Sequence, residues 1–64
     1  MTTNQAYEIG KNVRKNILEG SEEGLKSAII TRAIVIDIMG KSTAYQATKL
    51  GISFNNGLEG VEDR

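Results

Sequence analysis

Between Thr3 and Glu19 apolar residues recur at Ala6, Ile9, Val13 and Ile17, while Glu8, Lys11, Asn12, Lys15 and Asn16 occupy the other side. Spacings of three and four residues put side chains on one face of a helix, so this stretch predicts an amphipathic helix. Tyr7, Arg14 and Leu18 flank its stripe. Gly10 falls inside it, and a glycine in a helix interior costs about 1 kcal/mol relative to Ala. Gly20 is a natural stop, and Ser21 followed by Glu22 and Glu23 is a natural start. The first boundary therefore falls at Gly20-Ser21.

The segment from Glu22 to Met39 has a different pattern. Leu25, Ala28, Ile29, Ile36 and Met39 lie on one side of a helix, Ile30, Ile34 and Ile38 lie on another, and Ala33 and Val35 fill much of the remainder. Lys26, Thr31, Arg32 and Asp37 interrupt. Residues 29–38 are rich in β-branched side chains and also suit a buried strand. The run has no partner strand and continues back without a break to the start at Ser21, which favours the helix. A helix apolar on most of its circumference must be covered on more than one side, and the first helix can cover only one. A homo-oligomer built on Ile30, Ile34 and Ile38 is the expected solution, because a monomer rarely leaves so large an apolar patch open.

Ala44, Ala47 and Leu50 share one face of a short third helix, with Ser42 as its cap and Gly51 in the left-handed position that ends helices. Asn56-Gly57 is a turn signal, and Leu58 and Val61 are placed to dock a short acidic tail. The pattern thus predicts an all-α fold. It is one domain spanning residues 1–64, a small three-helix unit with helices at about 3–19, 22–39 and 43–50, expected to be oligomeric.

Composition narrows the chemistry. The 64 residues contain no Cys and no His, so disulfides, thiolate metal sites, imidazole ligands and Ser-His or Cys-His nucleophilic pairs are excluded. A domain this short buries only about 60% of its unfolded surface, and one without staples relies on a very regular core or on self-association. Eight basic and eight acidic residues give a net charge of zero, distributed unevenly. Residues 1–53 carry seven Lys/Arg against five Asp/Glu, whereas Glu59, Glu62 and Asp63 outnumber Arg64 after them. The start, Met1-Thr2-Thr3-Asn4-Gln5, has no signal-peptide character, and Ala33-Ile34-Val35-Ile36 is far shorter than the ~20 residues that span a bilayer. A cytoplasmic protein without membrane contact is expected. Glu22 and Glu23 suit a helix N-terminus and the later acids a solvated tail, leaving no acid–base pair. Gly40-Lys41-Ser42 looks like the end of a phosphate-binding loop, but that loop needs glycine where Val35 stands. No enzyme activity, metal or cofactor is expected.

One segment suggests a function. Arg32 to Met39, the loop Gly40-Lys41-Ser42, the small Ala47, Leu50-Gly51-Ile52 and Ser53 follow one another as supporting helix, loop, packed small residue, turn and recognition-helix cap. Residues 32–53 in this respect resemble the helix-turn-helix unit of response-regulator and of transposase or resolvase DNA-binding domains. The resemblance implies a small regulatory DNA-binding protein with Lys41, Ser42, Thr43, Lys49, Ser53, Asn55 and Asn56 near DNA. The same residues also read as a helix closed by a glycine cap. Size and architecture alone also suit a compact helical homo-oligomer that binds a protein partner, as small inhibitors, antitoxins and phage-type anti-defence proteins do, and the acids after Ser53 would repel phosphate. A third alternative is an oligomer holding a small anionic ligand at subunit interfaces, with Arg14, Lys15 and Arg32 as contacts.

Overall fold

The computed structural model describes residues 1–63 as three α-helices in a compact all-α unit: α1, Thr3–Glu19, α2, Glu22–Gly40, and α3, Ala44–Glu59. Arg64, the one base of the acidic tail, lies outside the described residues. Thr2 caps α1 by accepting the Gln5 N–H at 3.1 Å, and the Gln5 side chain accepts the Thr2 N–H in return at 2.9 Å. This reciprocal box satisfies two of the amides that a helix start leaves without partners. Gly20 ends α1 with φ 69°, and Ser21 caps α2 by accepting the Gly24 N–H. The predicted boundary at Gly20-Ser21 is present, and α1 runs unbroken through Gly10.

The third helix differs from the sequence expectation. Its cap is Thr43, which accepts the Gln46 N–H, while the neighbouring Ser42 donates its hydroxyl to the Ile38 carbonyl at 2.8 Å. Gly51 is an interior helical residue, and positive φ among the glycines belongs to Gly20 and Gly60. The helix continues through Asn55-Asn56-Gly57 and stops at Gly60, φ 73°. The expected stop at Gly51, the turn at Leu50-Gly51-Ile52 and the separate helix after Ser53 are therefore corrected to one continuous helix. The cause is burial: Leu50, Ser53, Phe54 and Gly57 form a single stripe at helical spacing, and that stripe is the inner face of α3. Stopping the helix at Leu50 would break the stripe in half.

That face packs on α1, where Ala6, Gly10 and Val13 are buried at the same spacing. The two helices cross glycine on glycine. A Cβ on Gly10 would collide with the Phe54 carbonyl oxygen and stand 3.1 Å from the Gly57 Cα. One on Gly57 would collide with the Tyr7 carbonyl oxygen and stand 2.8 Å from the Lys11 amide nitrogen. Side chains then bind the end of α3 to α1. The Tyr7 hydroxyl donates to the Val61 carbonyl at 2.9 Å, and the Arg14 guanidinium donates to the Leu58 carbonyl at 3.1 Å. A cation there also suits the negative end of the helix dipole.

By contrast, α2 is held lightly. It buries only Ala28 and Val35, with Thr31, Ile38 and Met39 half-buried beside them. Among the described residues the core is Ala6, Val13, Ala28, Val35, Leu50 and Phe54, with Ile9, Met39 and Leu58 packed against it. The unit is broad and thin, 35 × 24 × 12 Å between Cα extremes. Its accessible surface of 4522 Å² exceeds the roughly 4,000 Å² usual for a monomer of this mass.

Candidate functional site

The feature that stands out is the outward surface of α2. Ile29 is 70% exposed, Ile30 61%, Ile34 55% and Ile36 51%. Ala33 lies open between them, and Leu25 continues the surface toward the N-terminal end. The reason is geometric. At 100° per residue, Ala28, Thr31, Val35 and Ile38 form the inward line, and Ile29, Ile30, Ala33, Ile34 and Ile36 cover nearly all of what remains in the middle of the helix. Of the predicted interface residues, Ile30 and Ile34 are on this surface. Ile38 is half-buried, because it follows Thr31 and Val35 at the spacing of the inward line. The sequence pattern groups Ile29 and Ile36 with Leu25, Ala28 and Met39 and so leaves them out of the expected interface, although both are open.

Polar side chains sit toward the ends of the same surface. Lys26 reaches Glu22 at 3.3 Å and Lys41 reaches Asp37 at 3.0 Å, both pairs one turn apart on α2 and well exposed. Between α1 and α2 an apolar groove of ≈ 270 Å³ is lined by Val13, Ile17, Leu25, Ala28, Ile29 and Arg32. A second, wider groove brings Lys11, Arg14 and Lys15 together beside Leu18, Glu19 and Gly60. Of the expected anion contacts, Arg14 and Lys15 thus share a surface, and Arg32 lines the other groove. Arg14 is already engaged with the Leu58 carbonyl, and Lys11 lies 3.8 Å from Glu8 and 5.3 Å from the centre of the Tyr7 ring.

The residues expected near DNA each have a local environment of their own. Ser53 is buried at 5% exposure on the inner face of α3, a correction to its reading as a recognition-helix cap. Asn56 donates its amide to the Asp63 carboxylate at 3.1 Å. Thr43 is the α3 cap, Ser42 is bonded to the Ile38 carbonyl, and Lys41 is paired with Asp37. Lys49 lies over the Tyr45 ring, 4.6 Å from its centre, and Asn55 is exposed. Among the described residues no three acidic side chains converge as a metal site would require, and no helix is long and apolar enough to cross a membrane.

No protein-family model, curated protein or solved structure matches this chain. Its function is read from its own surface.

Proposed function

We propose that this chain is a non-enzymatic helical homo-oligomer that acts by binding another protein, in the manner of a small inhibitor or adaptor. The observation that carries the reading is the four isoleucines of α2, each more than half exposed in a unit whose core contains only six buried apolar residues. Apolar surface of that extent on so small a protein marks an association face. Association through α2 leaves other apolar side chains open, notably Leu18 at 70% and Tyr45 at 69% exposure, and these are the candidates for contact with a different protein. A helix-turn-helix unit needs a turn at Leu50-Gly51-Ile52, and α3 is continuous there, which weakens the support for DNA binding.

Two measurements test this. Sedimentation equilibrium of the wild type at tens of micromolar is expected to give a dimer or larger species, and Ile34→Glu to shift it toward monomer. That substitution buries an unpaired carboxylate on association, at a cost of several kcal/mol. A folded wild type that stays monomeric at high micromolar concentration overturns the reading. Titration of fluorescent duplex DNA at low salt is expected to show no retention at tens of micromolar. Salt-sensitive retention there, weakened by Lys41→Glu and Lys49→Glu, would replace protein binding by DNA binding.

A further inference from the structure

The outward surface of α2 also carries a charge pattern. Glu22, Lys26, Ile30, Ala33, Asp37 and Lys41 follow one another at intervals of four, four, three, four and four residues, a line running along the helix opposite the buried Ala28 and Val35. Read from either end, the line has an opposite-charge pair, a central Ile-Ala step, and an opposite-charge pair. The order of signs is acid then base at the N-terminal end and again acid then base at the C-terminal end.

We infer that α2 pairs with α2 of a second copy as an antiparallel, two-fold dimer centred between Ile30 and Ala33; the inference rests on the self-association proposed above and adds its direction and register. Turning one helix end for end about that centre sets Lys26 opposite Asp37 of the second copy and brings Glu23, which lies beside Glu22 on the same flank of the line as Lys41, to Lys41 of the second copy. Both contacts occur twice by symmetry. Ile30 falls beside Ala33 of the second copy, large against small, so the helix axes approach closely. On one flank Ile29 meets Ile36 of the second copy, and Ile34 closes the other flank. A parallel pair in register would instead oppose Lys26 to Lys26 and Asp37 to Asp37, which repel.

Charge reversal tests the pairing, since Lys26 and Asp37 are exposed in the monomer and their exchange leaves the core untouched. Lys26→Glu alone and Asp37→Lys alone are each expected to raise the dimer dissociation constant about tenfold, two attractive contacts having become repulsive. The double variant is expected to return near the wild-type value. Circular dichroism checks that each variant remains helical. The chain has no Cys, so single-cysteine variants report geometry directly. Lys26→Cys mixed with Asp37→Cys is expected to give the 26–37 disulfide far faster than Lys26→Cys alone gives the 26–26 one. A dimeric wild type whose single reversals associate as before, or in which the 26–26 disulfide dominates, overturns the antiparallel register while leaving self-association standing. A monomeric wild type overturns both.

Discussion

Gly57→Ala is expected to unfold much of what Gly51→Ala leaves intact, although both put the same methyl group into the same helix. On propensity alone each change should stabilise α3 by up to about 1 kcal/mol. At position 51 nothing opposes that gain, since the added Cβ meets only the Met39 sulfur, at 3.7 Å, an ordinary contact. At position 57 the new carbon runs into the Tyr7 carbonyl oxygen and stands 2.8 Å from the Lys11 amide nitrogen and 3.0 Å from the Gly10 carbonyl carbon. These are backbone atoms of α1, which cannot rotate away. The helices must separate by roughly 1 Å to restore normal contact. Separation loosens Ala6, Val13 and Phe54 together and stretches the Tyr7–Val61 and Arg14–Leu58 hydrogen bonds. Overpacking of this kind costs about 1–3 kcal/mol, and two weakened hydrogen bonds add up to about 1 kcal/mol each.

The net loss, about 2–4 kcal/mol, is large against the roughly 3–10 kcal/mol that a domain of this length has in total. One kcal/mol moves the melting temperature of such a domain by about 4–8 °C. Thermal unfolding followed by circular dichroism, at one fixed protein concentration, should therefore place Gly57→Ala at least about 8 °C below wild type. Gly10→Ala should fall with it, and Gly51→Ala should melt at or above wild type. If Gly57→Ala melts as high as Gly51→Ala, the glycine crossing does not exist in solution and the packing of α1 on α3 described here is wrong.

Gly20→Val should lower stability by about 1 kcal/mol or more in the same assay, because a β-branched residue is strained at φ 69°; an unchanged melting temperature would contradict the α1 cap. Thr43→Ala should cost about 1 kcal/mol and more than Ser42→Ala, since Thr43 satisfies an α3 amide whereas Ser42 returns its hydroxyl to a carbonyl already in α2; the reverse order would favour the cap first read from the sequence.

Where local chemistry decides the structure, the sequence was a good guide. Gly20-Ser21 is a boundary because a left-handed residue and a hydroxyl cap both act within a few residues, and α1 and α2 begin and end close to where periodicity puts them. Gly51 reads as a helix stop and Gly57 as part of an Asn-Gly turn because local signals weigh a glycine by its backbone freedom, whereas Gly10 and Gly57 are there for what they lack, a Cβ between two crossing helices. A single sequence signals such a crossing only by its pairing of two helices, and neither glycine identifies its partner 47 positions away. Ser53 is misplaced together with Gly51, since its reading as a helix start depends on a turn at Gly51 that α3 does not make. The apolar excess of α2 was plain from composition, but its inward line was not, because a helix rich in isoleucine all round offers no polar side from which to orient it.

The division of labour between the helices explains why the apolar excess sits where it does. The α1–α3 pair is locked by glycines, by Tyr7 and Arg14, and by a stripe of buried residues on each helix, so it needs nothing further to define its geometry. Helix α2 has weak intrinsic support: its centre is dominated by isoleucine, a β-branched residue that loses rotamer freedom in a helix, and the rest of the unit buries only Ala28 and Val35. Its best local contributions are the Ser21 cap, the two acids in its first turn and two exposed ion pairs, each worth a fraction of a kcal/mol to about one. A helix so placed has the most to gain from a cover over Ile29, Ile30, Ile34 and Ile36. On the self-association proposed here that cover is a second α2, so ordering of α2 and formation of the dimer draw on the same apolar contacts, and the stability of the fold is linked to protein concentration by mass action. In the proposed dimer the charges at the ends of the helix, which add little to folding, would set which way round the two identical apolar helices meet.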